Sequence, residues 1–111
     1  MPDRIEETPE LRRLRKRIDA LDRRLVELLN ERAALAREAG RAKTAAGRRA
    51  IRDAEREREV LLRVSMANTG PLPQADLVAL YRRLFVATRA LETRDRRSGA
   101  GPSPSEPSDG G

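Results

Sequence analysis

Between Pro9 and Gly40 the chain has neither glycine nor proline, and apolar residues recur in steps of three and four: Leu11, Leu14, Ile18, Leu21, Leu25, Leu28, then Leu35 and Ala39. That period is one face of a long helix. Thr8-Pro9-Glu10 supplies its start, with a capping hydroxyl, a proline at the first helical position and an acid in the first turn. The spacing predicts a helix from about Pro9 to about Lys43, roughly 50 Å at 1.5 Å per residue. A lone chain of this size would be only about 26 Å across, for a radius of gyration near 13 Å. So long an apolar stripe calls for a partner helix from another chain, and a homodimer is expected.

One step of the stripe is occupied by Arg32. A guanidinium in a helix seam keeps its proton and must meet an anion or reach solvent. Taken alone, it is a side chain that snorkels or pairs with a glutamate. Two later stripes repeat the anomaly. Ala50, Ala54, Glu57, Leu61 and Val64 contain a carboxylate, and Leu77, Tyr81, Leu84, Thr88 and Glu92 turn polar at their end. Three helices whose apolar faces each turn polar point to one shared polar pocket.

Turn signals set the remaining boundaries. Gly47 lies in a short basic loop, a second helix is expected from Ala50–Asp53 to just before Asn68-Thr69-Gly70-Pro71, and Pro73 opens a third that runs to about Arg94. The Gly-, Pro- and Ser-rich end is expected to be disordered. The predicted organisation is an N-terminal extension at 1–8, an all-α domain at 9–95 and a tail at 96–111. Aromatic residues are scarce, with only Tyr81 and Phe85, so the core must come from Leu, Ile, Val and Ala.

Composition narrows the chemistry. The formal net charge of +6 favours an acidic partner, whether nucleic acid, anionic lipid or a small polyanion. Histidine and cysteine are absent, which removes the usual general base, transition-metal ligands, disulfides and thiolate chemistry. No phosphate-binding glycine loop or nucleophile elbow occurs. No metal or cofactor is expected, and any catalysis must use arginine, lysine and carboxylates. No run approaches a membrane span and the start lacks an apolar signal segment, so a cytoplasmic protein without membrane contact is expected.

Four stretches carry a family resemblance: Leu14-Arg15-Lys16-Arg17-Ile18-Asp19-Ala20-Leu21-Asp22, Leu28-Leu29-Asn30-Glu31-Arg32, Ala39-Gly40-Arg41-Ala42-Lys43, and Ile51-Arg52-Asp53-Ala54-Glu55-Arg56-Glu57. Over about Glu10 to Glu92 the chain resembles the all-helical chorismate mutases of the AroQ type. The resemblance implies three helices per chain in an intertwined homodimer, with Arg15 entering the partner's site. Arg32, Lys43, Asp53, Arg56, Glu57, Thr88 and Glu92 would come from the other chain. It implies rearrangement of the dianion chorismate to prephenate, on the shikimate pathway to aromatic amino acids, without a cofactor. Arg15 and Arg32 would grip the two carboxylates and Arg56 would help to orient the pocket. Lys43 would donate to the ether oxygen. Glu57, with the backbone near Asp53, would accept from the ring hydroxyl, and Thr88 would contact a carboxylate.

Glu92 departs from the usual bacterial glutamine at the ether-oxygen site, and must be protonated to donate; glutamate occurs there in some members, notably fungal ones. The loop before Ile51 is one residue longer than the family pattern. Lys43 alone is also what a helix C-terminus favours, and Arg56-Glu57 alone is also a solvated helix face. Charges such as Arg23, Arg24, Arg37, Glu38 and Arg63 are placed on outer faces. An isochorismate pyruvate-lyase or a mutase of an amino-substituted chorismate on the same fold remains an alternative, and activation by a shikimate-pathway partner enzyme remains open. A basic nucleic-acid-binding module fits less well, because positives and acids interleave and stacking aromatics are missing.

Overall fold

The computed structural model describes residues 7–48 and 52–98. Its described residues form three helices, α1 (Pro9–Ala45), α2 (Ala54–Ala67) and α3 (Gln74–Arg97), with no strand. Ala50 and Ile51, most of the 1–8 extension and the tail beyond Ser98 lie outside the described residues. Two compact units divide the chain, Met1–Leu35 and Ala36–Gly111. No described helix is long and apolar enough to cross a membrane.

In the first unit, the start of α1 is fixed as its sequence dictates. Thr8 Oγ1 accepts from the Leu11 N–H at 3.1 Å and the Thr8 carbonyl accepts from the Arg12 N–H, an N-cap worth about 1 kcal/mol. Its apolar stripe is uncovered: Leu14, Ile18, Leu21, Leu25 and Leu28 are between 43% and 67% exposed.

The second unit contains the end of α1 together with α2 and α3. Gly47, at φ 83°, ends α1 in a Schellman motif: the Arg48 N–H donates to the Lys43 carbonyl at 2.9 Å and the Gly47 N–H to the Thr44 carbonyl at 3.0 Å. The helix thus runs two residues past Lys43. At α2, Asp53 is the cap rather than a helical residue, its carboxylate accepting from the Arg56 N–H at 3.0 Å. The α2–α3 connection closes on Asn68, which accepts from the Gly70 N–H and donates to the Leu72 carbonyl, both at 3.0 Å. Gly70 takes φ 83°, where a Cβ would be strained.

Helices α2 and α3 pack on each other, with Val60, Leu61 and Val64 half-buried on α2 and Leu77, Val78, Tyr81 and Leu84 on α3. Phe85, 7% exposed, is the one buried residue among those described, with Tyr81 against it edge-to-face at 6.3 Å. Helix α3 continues three residues beyond its expected end near Arg94. Its last turn is held because Arg96 donates to the Arg48 carbonyl at 3.1 Å and the Ser98 N–H caps the Arg94 carbonyl at 3.1 Å.

Candidate active site

Two helices of the second unit meet at Glu92, the end of α1 and α3 itself. From α1, Gly40 faces it: a Cβ there would stand 3.2 Å from Glu92 Cγ and 3.3 Å from Cδ, so the missing side chain is what lets the Glu92 carboxyl lie against α1. Burial raises the Glu92 pKa above the ordinary carboxyl value, and Asp95 adds to the rise; Lys43, Arg96 and Arg89 oppose it. Burial is the largest of these, so the net shift is toward the neutral acid although three cations act against it. Lys43 is half-buried in the last turn of α1, where the Schellman motif fixes its backbone.

From α2, Glu57 points at α3. It is 16% exposed, and it accepts from Arg89 Nη1 while Arg52 Nε lies 3.4 Å from its other oxygen. Arg89, 26% exposed, stands one turn before Glu92 and acts on both acids. Thr88 beside it is half-buried on α3. This unit therefore gathers Lys43, Glu57, Arg89 and Glu92, a mixture of donors and acceptors in which one carboxyl is kept protonatable and another is held by cations.

Other expected residues are placed differently. Asp53 caps α2 and lies 3.8 Å from Arg48. Its carboxylate fixes the helix from which Glu57 projects. The Arg56 side chain is exposed and pairs with Glu59 at 3.3 Å, apart from the group around Glu92. In the first unit, Arg32 is half-buried, and Arg15 is exposed and paired with Glu7 at 2.5 Å.

Arg37 is exposed, as expected of an outer face, and is also tied to α3. It forms a bidentate pair with Asp95, Nε to Oδ2 at 2.9 Å and Nη2 to Oδ1 at 2.7 Å. Arg89 is not among the expected site residues. Its signal in the sequence is only one more charge among several at the polar end of α3, since the acid it holds is 32 positions away.

The described residues form helices only, and in the second unit they bring the cations Lys43 and Arg89 near the carboxyls Glu57 and Glu92. A family model described as chorismate mutase type II matches residues 14–93, and the chain belongs to that family. It is 37% identical over 102 residues to a bifunctional chorismate mutase/prephenate dehydratase of Stutzerimonas stutzeri and 39% identical over 97 residues to one of Aquifex aeolicus, matches that cover 88% and 84% of this chain. The chain spans only 28% and 26% of those relatives' own lengths. Among solved structures, a chorismate mutase from Thermus thermophilus superposes with a TM-score of 0.72 at 35% identity, covering 77% of this chain and 96% of that one.

Proposed function

We propose that the chain is a chorismate mutase, converting chorismate to prephenate. The observation that carries this is the meeting of Lys43 with a carboxyl, Glu92, whose pKa burial raises, in a member of the chorismate mutase type II family. In this isomerisation the ether C–O bond breaks as a C–C bond forms within one cyclic electron shift. No nucleophile, proton transfer or oxidant is required. The protein's tasks are to hold the dianion in its reactive diaxial shape and to stabilise the charge that grows on the ether oxygen.

Lys43 Nζ and the protonated Glu92 carboxyl donate to that oxygen. Glu57 accepts from the ring hydroxyl. Arg32 and the partner's Arg15 bind the carboxylates through their planar forks. Thr88 contacts a carboxylate, Asp53 fixes the start of α2, and Arg56 helps to orient the pocket or a carboxylate.

The same proposal includes a homodimer. Leucines left open along α1, such as Leu21 at 67%, support a second copy as the cover, since isolated apolar residues are common on surfaces but a continuous stripe is not. It also includes a cytoplasmic setting and a shikimate-pathway partner enzyme; in the relatives the mutase is joined by name to a prephenate dehydratase, the enzyme of the following step. Co-elution and a change in kcat/KM on mixing test that partner.

The activity is tested by following chorismate loss by absorbance and identifying the product by NMR. Catalytic formation of prephenate is expected. Pyruvate release from isochorismate, with chorismate untouched, would replace this function by the lyase.

A further inference from the structure

Both oxygens of Glu57 are engaged by guanidinium groups, Arg89 from α3 on Oε2 and Arg52, ahead of α2, on Oε1 at 3.4 Å. Arg52 is 63% exposed and its charge is largely screened by water. Arg89 is much less exposed and acts at short range. The half-buried part of the set, Glu57 with Arg89, is therefore electrically neutral.

An ionised carboxylate can only accept hydrogen bonds, so the ligand group facing Glu57 must be a donor. A hydroxyl and an ammonium group both qualify, and they differ in charge. The hydroxyl gains its hydrogen bond without a net Coulomb term. An ammonium group is drawn to Glu57 but repelled by Arg89, and it must also leave water, so the attraction no longer offsets its desolvation.

Resting on the chorismate mutase assignment above, we propose that Arg89 is a specificity-determining residue: by neutralising Glu57 it sets the site for a ring hydroxyl and against a ring ammonium group. Arg89 acts through Glu57 and need not touch the substrate.

The test compares kcat/KM for chorismate and for its analogue with an amino group in place of the ring hydroxyl, using the full chain. The ratio of the two constants is independent of how much protein is folded. It also cancels the titration of Glu92, flanked by Lys43, Arg89, Asp95 and Arg96, because the ether oxygen is common to both substrates. For the wild type, the ratio of amine to hydroxyl is expected to rise at least about tenfold as pH climbs through the amine's own pKa and the ammonium charge is lost. At neutral pH, Arg89→Gln should raise the same ratio at least about tenfold, while Arg89→Lys, which keeps the charge, should leave it within about threefold.

A ratio that stays flat or falls with pH in the wild type overturns the proposal, whether or not the variants fold. So does an equal loss on both substrates in Arg89→Gln, which would make Arg89 structural only. A wild-type chain that turns over neither substrate would instead remove the chorismate mutase assignment, and this specificity with it.

Discussion

Glu92 is asked to be neutral among cations. Burial raises its pKa and is the largest cause, against the pull of Lys43, Arg96 and Arg89. If the neutral form donates to the ether oxygen, kcat/KM falls as pH rises through the Glu92 pKa in the complex, and Glu92→Gln, a permanent donor of similar size, flattens that profile. The stability sign is the same. With the folded pKa raised, the group's contribution is complete below the unfolded carboxyl pKa and is lost as pH rises through the folded value. Melting followed against pH should show, in Glu92→Gln, a shallower decline as pH rises through that folded value. For Lys43 and Arg32, replacement by Ala should lower kcat/KM at least about a thousandfold, or about 4 kcal/mol, with helicity retained by circular dichroism. Near-wild-type turnover in a folded Arg32→Ala protein would remove that residue from the site. Glu57 and Glu92 stand out in the sequence because each lies in an apolar stripe of its own helix, whereas Lys43 is picked out by the family resemblance. Arg89 could not be picked out, since a helical period identifies a face but not the acid that a different helix brings to it.

Among the elements, the end of α1 and the polar end of α3 depend on one small residue and one ion pair. Gly40 leaves room for the Glu92 carboxyl, and a Cβ at 3.2 Å would force that side chain to move by a few tenths of an ångström. Gly40→Ala should therefore keep or raise the melting temperature, because alanine favours a helix interior by up to about 1 kcal/mol. It should lower kcat about tenfold through the displaced carboxyl. Unchanged kcat in the alanine variant would mean Glu92 has no positional role. The Arg37–Asp95 pair ties the same two elements together. Its side-chain hydrogen bond from Arg37 lowers the Asp95 pKa, so its stabilisation is present above the ordinary aspartate value and is lost as pH falls through the lowered one. Arg37→Ala should melt earlier than wild type at neutral pH, with the difference shrinking in high salt and vanishing in acid. Helix starts and stops were legible because Thr8, Asp53, Gly47 and Asn68 act locally, through bonds within a few residues of themselves. The Arg37–Asp95 pair, 58 positions apart, has no such local mark.

For the whole molecule, the α1 stripe links fold to function. Within one chain only Phe85 among the described residues is buried, while Leu14, Ile18, Leu21, Leu25 and Leu28 remain open to water. A second copy laid along α1 would cover that face, and the same pairing would carry Arg15 into the site that contains Arg32 of the other subunit. Arg15→Ala and Arg32→Ala proteins should then each be inactive alone. Mixed and allowed to exchange subunits, they form a heterodimer in which one site has both arginines intact and the other has neither. Statistical exchange makes half of the dimers mixed, and half of their sites whole, so recovery should approach about a quarter of wild-type activity. Exchange is verified separately by mass spectrometry with one subunit isotope-labelled. No recovery despite complete exchange would show that Arg15 serves its own chain, and would leave the leucine stripe as an interface without a catalytic task.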